Sequence, residues 1–170
     1  MASSHDSPKP TTITFPGHEI PPERLALQKA AGSGDIAEVE RLLSQLPSST
    51  QLPQTPARYL ANARLTAAKK GLQEASKAGN LEDLDKLLQD WKNESSIPDP
   101  ESEDLDLPLI EAARHGCARI VSRLLDEGAV LGPHIPITAL KTGSQAVSLF
   151  QVFMDHGWDV NFFNGTPVLQ

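Results

Sequence analysis

Three stretches of this chain share one order of residues, and that order limits the folds open to it. They are Leu27-Gln-Lys-Ala-Ala-Gly-Ser-Gly34, Leu72-Gln-Glu-Ala-Ser-Lys-Ala-Gly79 and Leu109-Ile-Glu-Ala-Ala-Arg-His-Gly116. Each has Leu, Ala three positions on, a small residue next, and Gly at the eighth position. Apolar residues then recur at +2, +5, +8 and +9 from the Gly: Ile36, Val39, Leu42, Leu43; Leu81, Leu84, Leu87, Leu88; Ala118, Val121, Leu124, Leu125. Steps of three and four place them on one helical face. Ile137-Thr-Ala-Leu-Lys-Thr-Gly143 with Val147, Phe150, Phe153 and Met154 is a fourth copy, blurred by a residue or two. Each unit therefore reads as a short helix, a glycine turn and an amphipathic helix.

The residue order explains the shape. Proline at a first helical position loses nothing, since its N–H would be unpaired anyway, and Leu107-Pro108, Ile135-Pro136 and Thr166-Pro167 fit that position. The Ala pair lets neighbouring helices approach, and the Gly ends the helix in the left-handed conformation. Asp126-Glu-Gly128 and Asp155-His-Gly157 end second helices in the same way. Thr55-Pro56 could also cap a longer helix running through Tyr59, Leu60, Ala63, Leu65 and Ala67 towards Ala78, with Gly71 as a potential break. Met1 to Pro21 holds scattered prolines without periodicity and reads as a disordered tail. Pro47–Pro56 and the acid-rich Lys92–Asp106 read as surface loops, the second as a self-repelling linker.

These units resemble ankyrin repeats. The third, Leu107-Pro-Leu-Ile-Glu-Ala-Ala-Arg-His-Gly116 followed by Ile120-Val-Ser-Arg-Leu-Leu-Asp-Glu-Gly-Ala129, is the closest match. Gly157-Trp-Asp-Val-Asn161 resembles the family's hairpin finger, and Asn164-Gly-Thr-Pro167 the opening of another repeat. The style of the degenerate copies is similar to that of ankyrin proteins of filamentous fungi. The resemblance implies an all-α fold: a short ankyrin-like solenoid of about four helix-turn-helix units across 22–170. Approximate units are 22–46, 57–91, 105–131 and 134–163, with the start of a further unit at 164–170. Two departures stand out. Spacings between the turn glycines are 45, 37 and 27 residues, against ~33 for the family. Gln28, Gln73, Ile110 and Thr138 occupy the place of the family's histidine.

Charge and composition narrow the function. Fifteen basic against twenty-two acidic residues give a net charge of -7, so nothing draws the chain to nucleic acid or an anionic membrane. Hydrophobic residues at 39% supply a core but no run of ~20 for a membrane span. The polar Met1–Pro10 start lacks a signal-peptide core, which places the expected location in cytoplasm or nucleus. Cys117 lies two residues from His115, but no third group is evident to orient a Cys–His pair. His5, His18, His115, His134 and His156 never fall at i, i+4, so no metal or cofactor site is expected. Gly32-Ser-Gly34 and Gly71 read as helix-end glycines rather than a phosphate loop. Lys69-Lys70 is too short for a nucleic-acid track.

The expected function is a non-enzymatic interaction module that binds a protein partner on the face formed by first helices and fingers. Candidate contacts are Gln28, Lys29, Gln73, Glu74 and Glu111, with Trp158 and Asp159 in the last finger. The alternative is a regulatory amino-terminal region of a larger enzyme with its catalytic domain beyond residue 170. The aromatic-rich end (Phe150, Phe153, Trp158, Phe162, Phe163) reads as an uncapped stack that gains from extension or self-associates.

Overall fold

A computed structural model describes residues 21–159, apart from 48, 49, 51 and 53. Residues 1–20 of the expected 1–21 tail, the end of the last finger and the further unit at 164–170 lie outside the described residues. Within them the chain forms eight α-helices and no strand. These are α1 (Pro22–Ser33), α2 (Ile36–Gln45), α3 (Pro56–Ala78), α4 (Leu81–Asn93), α5 (Ser102–Arg114), α6 (Ala118–Asp126), α7 (His134–Leu140) and α8 (Ala146–Asp155). A single 3-10 turn, Gly143–Gln145, precedes α8.

The turn glycines do what their spacing predicts. Gly34, Gly79 and Gly116 have φ of 78°, 74° and 74°. At each, the Gly N–H and the following N–H reach back to two carbonyls of the ending helix: Ala31 and Ala30, Ser76 and Ala75, Ala113 and Ala112. The same bond pair closes α6 at Gly128 and α8 at Gly157. These paired bonds satisfy carbonyls that would otherwise be orphaned at the helix end. Asp35 and Asn80 then cap the next helix by accepting the N–H of Glu38 and Asp83.

Packing follows from the small residues. The helices α1, α3, α5 and α7 contact one another in chain order, and so do α4, α6 and α8; each first helix also contacts its own second helix. Ala30, Ala31, Ala75, Ser76, Ala112 and Ala113 are all buried between them. Two apolar clusters result. One holds Leu27, Val39, Tyr59 and Ala63; the other runs from Leu72 and Leu84 to Leu149 and Phe153. The 23-residue α3 belongs to both. It begins as Thr55-Pro56 predicts, with the Thr55 side chain accepting from Arg58 N–H. Gly71 does not break it; a Cβ there would lie 3.2 Å from the Leu87 side chain of α4.

Three expectations need correction. Pro108 does not open α5: the helix starts six residues earlier, at Ser102, and Pro108 is buried inside it. Glu101 and Asp104 form a reciprocal capping box, and Leu105 adds a fully buried turn. The Lys92–Asp106 stretch is not a self-repelling linker. Ile97 is buried, the Trp91 indole donates to the Pro98 carbonyl at 2.7 Å, and Lys69 of α3 pairs with Asp104 at 2.6 Å. Glu94 accepts from Ser96 and pairs with Arg64. Finally, the fourth unit carries an extra residue at its 3-10 turn. Leu149 and Phe153 are therefore buried, while Ile137, Val147 and Met154 are exposed.

The turn at Gly34 tests this arrangement. Its φ is 78° and a Cβ there would lie 2.9 Å from the Ala67 backbone nitrogen of α3. Gly34→Ala should cost about 1–3 kcal/mol from strain and contact together. At Gly32, helical and with open space around it, Gly32→Ala should gain about 0.4–1 kcal/mol. Denaturant midpoints of the two variants check both signs.

Candidate functional site

The candidate contact residues sit at matched positions on helices that touch in sequence. Gln28 and Lys29 follow buried Leu27 on α1, and both are exposed. Gln73 and Glu74 follow buried Leu72 on α3, the first half-buried and the second exposed. Glu111 stands two residues after buried Leu109 on α5, half-buried and held by Arg114 at 2.9 Å and His115 at 3.6 Å. The matched spacing after each Leu puts the side chains on corresponding turns of α1, α3 and α5.

Two clefts flank this row. Gln28 lines one of about 310 Å³ between α1 and α3, together with Gln54, Tyr59, Asn62 and Thr66. Glu74 lines another of about 480 Å³ between α3 and α4, with Asp83, Lys86 and Asp90. The first is amide-rich and uncharged; the second carries three carboxylates and one ammonium. Asn62 and Thr66 belong to the amino-terminal half of α3, which repeats nothing elsewhere in the chain, so no periodic signal marks them. Trp158 is placed differently. Its ring centroid lies 5.5 Å from that of Phe150 and 6.2 Å from that of Phe153, so the indole is part of the packing at the end of α8. Asp159 is exposed beside it.

Charge ties the second helices together. Arg123 of α6 donates to Asp85 of α4 at 2.6 Å and pairs with Glu127, which also receives Lys92 at 2.5 Å. The Lys92 hydrogen bond, with Arg123 behind it, holds the Glu127 carboxyl below its ordinary range. Burial pushes the Cys117 thiol up, which is the reverse of nucleophile activation. Its Sγ donates to the His115 carbonyl at 3.7 Å, while the His115 imidazole faces Glu111. Among the described residues no three His, Cys, Asp or Glu side chains gather as a metal site, and no helix is long and apolar enough to cross a membrane.

His156 links the ends of α8 and α6. Nδ1 lies 2.9 Å from the Val152 carbonyl and Nε2 3.1 Å from an Asp126 carboxylate oxygen. Both partners are acceptors, so only the doubly protonated ring satisfies both. The Val152 carbonyl, then Asp126, raise the His156 pKa above its ordinary 6.5. Stability from this contact is therefore complete below about pH 6.5 and lost as pH rises through the higher folded value. The melting temperature should fall between about pH 6 and about pH 8 by less in His156→Gln than in the parent chain. Equal falls would remove the contact from the account.

No protein-family model and no curated protein matches the chain.

Proposed function

We propose that this chain is a non-enzymatic protein-interaction module, built as a short ankyrin-like solenoid that presents its first helices to a protein partner. The observation that carries the reading is the matched placement of Gln28, Lys29, Gln73, Glu74 and Glu111 on consecutive contacting helices. Three identical glycine turns and the orderly contact of α1, α3, α5 and α7 support the repeat architecture. Stacked units of this kind hold a continuous row of side chains on rigid elements, at little ordering cost when a partner binds. The two clefts beside the row add shape to it, one offering amides and the other mostly carboxylates. A partner segment that runs along the row would meet hydrogen-bonding groups first and negative charge next. The partner surface that suits this order is polar at one end and basic at the other.

Proximity labelling in cells tests the reading. The combined variant Gln28→Ala, Lys29→Ala, Gln73→Ala, Glu74→Ala should keep its melting temperature within about 2 °C. It should lose at least one reproducible neighbour. A matched variant on second helices, Glu40→Ala with Glu82→Ala, both exposed and outside the two clefts, should keep that neighbour. Loss of the neighbour in both variants, or in neither, would remove the first-helix row as the binding face.

A further inference from the structure

The last helix pair presents a face that the earlier pairs keep covered or charged. Buried Ala30, Ala75, Ala112 and Ala139 occupy the same place on the four first helices. The next residue is Ala31, Ser76 or Ala113 on α1, α3 and α5, at most 4% exposed, and each of these helices is followed by a contacting first helix. On α7 it is Leu140, 63% exposed. The second helices tell the same story. Val39, Leu84, Val121 and Leu149 match as fully buried anchors. Asp85 and Asp126, on the sides of α4 and α6 that meet the next pair, bond to Arg123 and His156. Their counterparts on α8 are Phe150 and Met154, half-buried and 48% exposed. Ile137 on α7 and Val147 on α8 extend the apolar surface.

This face is also nearly free of charge. From His134 to Met154 the single Asp, Glu, Lys or Arg is Lys141, in a chain of net charge -7. Residues 134–154 hold no Asp or Glu, so two copies can meet here without bringing their carboxylates together. We propose that two copies of this chain associate through it, α7–α8 against α7–α8, as a symmetric dimer. A two-fold contact lets one apolar face cover itself and closes without further growth. It also lets Lys141, the residue after α7, approach Asp155 at the end of α8 in the other copy. The α1 end is the poorer match for this face, because its exposed large apolar side chain, Leu25, is flanked by Glu23 and Arg24.

Sedimentation equilibrium of the full 170-residue chain tests the proposal. At about 100 µM it should show twice the monomer mass, with Leu140→Glu and Met154→Glu each weakening the dimer at least about tenfold and Leu25→Glu leaving it unchanged. The variant sites are 63% and 48% exposed, and circular dichroism should confirm that helix content is kept. A monomer at that concentration would overturn the proposal, whatever else covers the face. So would a ladder of larger species abolished by Leu25→Glu, which marks head-to-tail growth instead.

Discussion

The close packing of small residues between consecutive first helices is the contact on which the rest of the structure depends. Ala30, Ala31, Ala75, Ser76, Ala112 and Ala113 are all at or below 6% exposed. Their short side chains let one helix lie against the next, which carries Leu27, Leu72 and Leu109 out of water. A larger residue at any of these places would push the neighbouring helix outward and open the apolar cluster behind it. Ser76 is where this constraint is least well met. Its hydroxyl is fully buried and has no hydrogen-bond partner among the described residues, so size rather than polarity suits it to that place.

The helix α3 extends this packing beyond a single pair. Its first half, through Tyr59 and Ala63, belongs to the cluster of α1 and α2; its second half, through Leu72 and Ala75, belongs to the cluster that runs on to α8. At 1.5 Å per residue its 23 residues span about 35 Å. Polar contacts reinforce the same joints, as Lys69 pairs with Asp104 of α5 and Lys70 donates to the Ser33 carbonyl at the end of α1. Each of these bonds crosses from one pair to the next, so the side chains that keep the stack in register also fix the spacing of the candidate contact row. An interaction surface of this kind inherits its rigidity from the core beneath it.

Local signals were legible in the sequence, and long-range ones were not. The glycine turns, the Thr55-Pro56 cap and the amphipathic faces of α2, α4 and α6 follow from residues a few positions apart. The start of α5 was hidden because Pro108 imitates a first helical residue, while buried Leu105 sits inside an acidic run. The pairing of that run with Arg64 and Lys69 joins residues 30 or more apart, which no periodicity reports. On α8 one extra residue in the 3-10 turn rotates the face, so Leu149 is buried where the repeat spacing points to Val147. In the candidate row the sequence marked Gln28 and Glu74, but Asn62 and Thr66, which share the cleft of Gln28, lie in a stretch without a repeat partner.

The claim at the centre of this account is that α3 makes one stack of two apolar clusters. Hydrogen exchange on Leu72→Ala measures it most directly, since this substitution removes a fully buried side chain and should cost about 2–5 kcal/mol. If α3 joins the clusters, amide protection should fall in α1 and α2 as well as in α4 and α5, because all four pack on the same helix. Protection lost in α4 and α5 alone, with α1 and α2 exchanging as in the parent chain, would contradict it.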